Sequence, residues 1–178
     1  MPVRTKAGIF YGSTTGNTER VAGLIAGRLG KWFLTGLHDI ADAPASIMNS
    51  YDLLILGTST WGLGKLQEDW EHWLTLPGIS GIKDKAVAFF GLGDQDSYPE
   101  TFADGLGILY NRFFTAPLAH IGKWNRGEYC FENSQAFHCD HFIGLVLDED
   151  NQPELTQERI DAWVDQLVKE YESIAGKG

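Results

Sequence analysis

Short apolar runs alternate with stretches of helical period along this chain. The first run, residues 7–11, stops at the turn-rich segment Gly12-Ser13-Thr14-Thr15-Gly16-Asn17-Thr18, after which Val21, Leu24, Ile25 and Leu29 recur at helical spacing. A strand, a loop and a helix are predicted in that order. Residues 32–37 predict a second strand. Residues 52–57 predict a third, followed by the loop 58–64 and a short helix over 66–76. A fourth strand is predicted over 86–91, then a loop over 92–100 and a helix over 101–114 that Pro117 closes. The fifth strand reads as two pieces, 120–124 and 142–147, separated by a polar and aromatic stretch over 125–141. The last helix has the clearest pattern. Ile160, Trp163, Val164, Leu167, Val168 and Tyr171 share one apolar face, with Thr156 as the expected N-cap.

Strands that alternate with helices predict an open, doubly wound α/β sheet of five parallel strands, in which ligands sit at the carboxyl ends of the strands. The loops after strands one, three and four should therefore meet at one edge. The length of 178 residues, with no linker or repeat, predicts a single domain over residues 1–178.

Composition narrows the function. With 14 Lys and Arg against 24 Asp and Glu, the net charge is −10, which disfavours a nucleic acid or an anionic membrane as partner and favours a basic protein surface. No apolar run approaches the roughly 20 residues that span a bilayer, and residues 1–6 lead into no signal-peptide stretch. The expectation is a cytoplasmic protein. Cys130 and Cys139 are too few for a disulfide framework, and a bridge between them is disfavoured in a reducing compartment. With His138 and His141 they match no zinc spacing, so no metal is expected and free or packed thiols are.

The first loop carries the sharpest chemistry. With Gly12 and Gly16 the loop carries four hydroxyl-bearing residues, Ser13, Thr14, Thr15 and Thr18, and it ends at a helix N-terminus. Backbone N–H groups, hydroxyls and the positive end of the helix dipole together make a phosphate cradle. A triphosphate loop needs GxxxxGK[ST]; here the spacing is one residue shorter and Asn17 stands where Lys would be, which points to one terminal phosphate without magnesium. The plain alternative is a helix cap in a turn rich in Ser and Thr. Trp61 in the second loop and Tyr98 in the third are two large rings placed to sandwich a planar ligand, although a single loop aromatic more often covers core. Neither glycine-bearing loop matches GxGxxG, so a mononucleotide fits better than a dinucleotide.

In these loops the chain resembles the flavodoxins, and specifically the long-chain ones, over essentially its whole length. Residues 10–18 are similar to that family's FMN phosphate loop, residues 57–64 to the loop whose Trp stacks on the inner ring face, and residues 90–98 to the outer stacking loop. Residues 148–152 resemble the stretch before the last helix, and residues 125–141 correspond to the insertion of the long-chain type. The resemblance implies a flavodoxin-like fold of strand order 2-1-3-4-5 with the fifth strand split by the insertion, and FMN as cofactor. The implied FMN contacts are Ser13, Thr14, Thr15, Gly16, Asn17 and Thr18; Thr58, Ser59, Thr60, Trp61, Gly62, Leu63 and Gly64; Leu92, Gly93, Asp94 and Tyr98; and Asp148 near the ribityl chain.

The implied function is that of a one-electron carrier with no substrate of its own, cycling between semiquinone and hydroquinone at low potential. The Gly62 carbonyl would turn to accept a hydrogen from flavin N5, and the backbone of Leu92 and Asp94 would hold the pyrimidine edge. Implied partners are basic-surfaced redox proteins in transient complexes with a monomer: a flavodoxin reductase or pyruvate-oxidising donor, and an acceptor such as nitrogenase reductase. Glu68, Asp69, Glu71, Asp94, Asp96, Glu149 and Asp150 would steer them. Two positions depart from the family pattern: Lys65 where an acidic residue is common, and Ser59 where a proline is. The competing readings on the same fold are an FMN-dependent NAD(P)H:quinone reductase and a flavin-free receiver module; the second would need carboxylates where Gly12-Ser13 and Thr58-Ser59 stand.

Overall fold

A computed structural model describes residues 4–79, 82–113 and 117–176. The first three residues and Phe114, the expected last residue of the third helix, lie outside the described residues. Strand β1 (Lys6–Tyr11) pairs in parallel with β2 (Leu34–Asp39) on one side and β3 (Leu53–Trp61) on the other. The last two residues of β3, Thr60 and Trp61, also pair with the antiparallel two-residue β4 (Lys65–Leu66). Strand β5 (Ala86–Leu92) pairs with β3, so Ile9, Ile55 and Ala88 lie in one row across the sheet. The fifth place is filled twice: β6 (Ala119–His120) pairs with the start of β5 and β10 (Leu145–Leu147) with its end. The order β10-β5-β3-β1-β2 is the expected 2-1-3-4-5 arrangement with a divided fifth strand.

The strands sort their side chains by parity, as a pleat with both faces covered requires. Ile9, Leu53, Ile55, Ala88, Phe90, Leu145 and Leu147 face α1 (Asn17–Leu29) and α4 (Thr156–Ala175), which contribute Val21, Ile25, Leu29, Ile160, Trp163, Val164 and Leu167. Phe10, Leu54, Leu56, Val87, Phe89 and Val146 face α2 (Glu68–Trp73) and α3 (Asp104–Phe113), which contribute Trp70, Trp73, Leu106, Leu109 and Phe113. The three buried indoles keep their polar atoms satisfied: Trp70, Trp73 and Trp163 each donate Nε1 to a backbone carbonyl at 2.8 Å.

The remaining differences are of boundary and connection. The second strand starts two residues later than its apolar pattern, because Trp32 and Phe33 close the turn after α1 through bonds to the Leu29 carbonyl. Strand β3 runs on to Trp61, and Leu66 belongs to β4 and not to the helix. Residues 99–101 form a 3-10 turn ahead of α3. Thr156 is the first residue of α4 and not its N-cap; its hydroxyl donates to the Glu149 carboxylate. Residues 125–141 are no simple interruption. β7 (Trp124–Asn125), β8 (Phe137–His138) and β9 (His141–Phe142) make a small antiparallel sheet in the order β7-β9-β8, which takes Trp124 away from the fifth strand. Cys139 and Asp140 turn between β8 and β9, both at positive φ, as a two-residue hairpin demands.

Candidate functional site

The carboxyl ends of β1, β3, β5 and β10 open on a cleft of about 270 Å³. Its first wall is the loop after β1. Gly16 stands at φ 93° as the N-cap of α1, a left-handed conformation that glycine adopts without a Cβ clash. No side chain caps the start of α1, whose first N–H groups have no partner within the helix, and Ser13, Thr14, Thr15, Asn17 and Thr18 around that end all line the cleft. The Ser13 hydroxyl accepts the Gly16 N–H at 3.1 Å and holds the loop closed. Behind it, the buried Gln67 caps α2 through the N–H groups of Asp69 and Trp70 and donates Nε2 to Thr14 Oγ1 at 3.3 Å. Sequence reasoning missed Gln67; its Glu-Asp-rich helix start was the available signal for a cap, but nothing in the spacing connects it to Thr14.

The second wall is a tight hairpin. Trp61 ends β3 opposite Lys65, and Gly62 and Gly64 turn the chain at φ 51° and 82°. Trp61 is 38% exposed, and its ring is held by Nε1 donating to Ser59 Oγ at 2.8 Å. Tyr98 stands on the loop after β5, 44% exposed. Both rings line the cleft, with Ser59, Thr60, Gly62, Leu92, Gly93 and Asp94. Large rings left half in water on two converging loops leave apolar area for a ligand to cover. Thr101 and Ala103 join the lining although the sequence reading did not place them there, and Glu149 and Asp150, expected near this edge as steering charges and not as contacts, line it too. Ala103 sits at φ 55°, a conformation imposed by tertiary packing that an alanine does not announce.

Five expected contacts lie outside the lining. Gly16 shapes the loop from behind. Thr58 is fully buried with its hydroxyl on the Ser59 carbonyl, Leu63 is 81% exposed at the hairpin tip, and Gly64 turns against Asp104 and Thr101. Asp148 is fully buried beneath the cleft and not beside it. Its Oδ2 accepts the Gln95 N–H at 3.1 Å, its Oδ1 accepts those of Asp150 and Asn151 at 3.2 and 3.0 Å, and Asn151 Nδ2 reaches both oxygens. This carboxylate organises two loops at once.

The charges around the cleft are only partly free. Burial would raise the Asp94 carboxyl, but N–H groups of Ser97 and Asp96, the Ser97 hydroxyl and the Asn151 amide outweigh it and hold it below its ordinary value. Asp150 is raised, first by burial and then by Asp94 and Asp148. Glu149 pairs with Arg20, and Glu71 with Arg112, which removes two carboxylates from the unpaired acidic face. Lys65 is exposed and outside the lining. Cys130 and Cys139 are exposed free thiols, and among the described residues no three His, Cys, Asp or Glu side chains group to hold a metal ion. Among the described residues no helix is long and apolar enough to cross a membrane.

Comparison with known proteins agrees with this geometry. A family model described as Flavodoxin matches residues 9–163. The flavodoxin of Synechococcus elongatus is 42% identical over 166 residues, covering 93% of this chain and 98% of its own. Flavodoxin 1 of Escherichia coli K12 is 42% identical over 164 residues, 92% and 93% of the two chains. Among solved structures, Fusobacterium nucleatum flavodoxin bound to flavin mononucleotide superposes with a TM-score of 0.84 at 30% identity, covering 93% of this chain and 98% of that one.

Proposed function

Because the chain belongs to the flavodoxin family, we propose that it holds FMN in this cleft and passes single electrons between partner proteins. The observation that carries the proposal is the convergence, in one cleft, of an uncapped α-helix N-terminus among hydroxyls with two half-exposed rings on separate loops. The α1 N–H groups with Ser13, Thr14, Thr15, Asn17 and Thr18 suit a terminal phosphate without a lysine. Trp61 and Tyr98 suit the two faces of a planar ring system, and the Leu92–Asp94 backbone its polar edge. Bound FMN supplies the one-electron chemistry, and the polypeptide supplies position and field.

Two features favour a low potential. Asp94 and Asp150 in the lining and Asp148 beneath it oppose added negative charge, whereas Glu149 is offset by Arg20. Gly62 has positive φ and, apart from its two chain neighbours, no residue within 4 Å of the site a Cβ would take, which leaves the Gly62-Leu63 peptide room to turn its carbonyl toward a ring N–H. Asp148 acts in this reading by holding the loops, and Thr58, Leu63 and Gly64 by shaping the hairpin. The carrier would act in a soluble compartment as a monomer, taking electrons from a basic-surfaced reductase or pyruvate-oxidising enzyme and giving them to acceptors of the nitrogenase-reductase kind.

Absorbance during anaerobic stepwise reduction of the FMN-loaded protein tests this, with NADPH alone tried before a chemical reductant. Inertness to NADPH and two separate one-electron steps with the chemical reductant are expected. Direct two-electron bleaching by NADPH would make the protein a reductase, and a chain that takes up no FMN would overturn the reading of the cleft.

A further inference from the structure

Residues 125–141 are fastened to the loops that wall the cleft. Gln95 is the joint. It is 4% exposed, its N–H donates to Asp148 Oδ2, and its side-chain Oε1 accepts the Cys130 N–H at 2.7 Å. Four residues on, the Pro99 carbonyl accepts from Glu132 and Asn133 N–H at 2.9 and 3.0 Å, and the Phe102 N–H donates to the Asn133 carbonyl at 3.2 Å. Tyr98 and Thr101, both in the cleft lining, lie between these anchors. The opposite wall rests on the same segment. Gln135 gives its N–H and Nε2 to the Asp104 carboxylate at 2.7 and 3.0 Å, and the adjoining Gly105 N–H donates to Thr60 Oγ1 at 3.0 Å, next to Trp61.

The segment is stiff enough to serve as an anchor. Phe131, Phe137 and Phe142 pack mutually with ring centroids 5.0 to 5.5 Å apart. Tyr129 is buried, donates its hydroxyl to the Val146 carbonyl, and lies under the Arg159 guanidinium of α4 at 4.2 Å; burial pushes that phenol up to about 12.

Residues 93–103 contain no regular structure beyond one 3-10 turn, so ordering them costs conformational entropy wherever it occurs. If the loop is ordered before a ligand arrives, the ligand does not bear that cost. We propose that the insertion is a splint that pre-forms the Tyr98 wall, and that Gln95 is the positioning residue coupling it to Asp148. The identity of the ligand rests on the FMN reading above; the ordering of the wall does not.

Gln95→Leu removes the acceptor and leaves the Cys130 N–H unpaired, whereas Gln95→Glu keeps an acceptor oxygen. Two readouts are taken on the full chain: hydrogen exchange of residues 95–102 without FMN, and the FMN dissociation constant by fluorescence quenching. Loss of this part-buried bond, the Gln95 end of which is buried, should weaken FMN binding roughly tenfold and speed exchange of 95–102 by a similar factor above any change in β3 and β5, with Gln95→Glu recovering most of both. FMN affinity within twofold of the parent, with 95–102 no more affected than β3 and β5, would overturn the proposal. Should Gln95→Leu not fold, Gln95→Asn, which withdraws the oxygen by one methylene, is read in the same way. A parent chain that takes up no FMN would defeat the functional reading and leave the exchange measurement to decide this one.

Discussion

Exchanging Asp148 for asparagine keeps the shape of the side chain and turns one of its two acceptors into a donor. In the structure both oxygens are committed: Oδ2 to the Gln95 N–H, Oδ1 to the Asp150 and Asn151 N–H groups, with Asn151 Nδ2 across the two. Whichever oxygen becomes the amide nitrogen, at least one buried N–H then faces another donor, a loss of about 1–3 kcal/mol. Asp148→Ala leaves all three backbone donors without their partner, about 3 kcal/mol at roughly 1 kcal/mol each. That is a large share of the ~5–15 kcal/mol that holds a domain folded. Urea unfolding of the FMN-free protein at pH 7 is the assay. The expected order of midpoints is parent, then Asn, then Ala. If the carboxylate instead touched the ligand, Asp148→Asn would leave the FMN-free midpoint within about 0.5 kcal/mol of the parent and lower only FMN affinity. That pattern would refute the argument from burial.

Trp61→Ala and Tyr98→Ala should each weaken FMN binding roughly tenfold through lost stacking and hardly move the FMN-free unfolding midpoint, because both rings are already well exposed; a stability loss like that of a buried aromatic would count against their role as cleft walls. His38 and His120 are both held below their ordinary 6.5, chiefly by burial, although the Ile143 carbonyl 2.6 Å from His120 Nε2 acts the other way. The unfolded chain therefore takes up protons first as pH falls through 6.5, and the stability present above 6.5 is lost below it, down to the folded values. Urea midpoints should drop between pH 7.5 and 5.5, and the drop should shrink in a His38→Gln, His120→Gln double variant; midpoints rising on acidification would contradict the sign. Reduction by a basic-surfaced donor should slow with added salt as unpaired carboxylates such as Asp96 are screened, over a Debye length of about 10 Å at 0.1 M. Stopped-flow rates independent of ionic strength would remove steering from the account.

The chain alone determined the α/β alternation, the open parallel sheet that follows from it, and the three loops that meet at the cleft; the strand order came from the family resemblance. Each of the first three rests on a local pattern: Leu53-Leu54-Ile55-Leu56 is apolar at both parities because helices cover both faces, and Gly16 followed by a helical period marks an open helix N-terminus. The loop rings Trp61 and Tyr98 were legible for the same reason, since a large aromatic between turn residues has no neighbouring core period to join. Tertiary structure alone decided what bonds across distance. The carboxylate of Asp148 meets Gln95, 53 residues away, and Gln95 meets Cys130, 35 residues away. Only packing takes Trp124 from the fifth strand into a separate antiparallel sheet and puts Ala103 at positive φ. Period and spacing record which face of its own element a residue occupies; a buried polar atom takes whichever partner the folded chain brings within about 3 Å, and no local spacing records that choice.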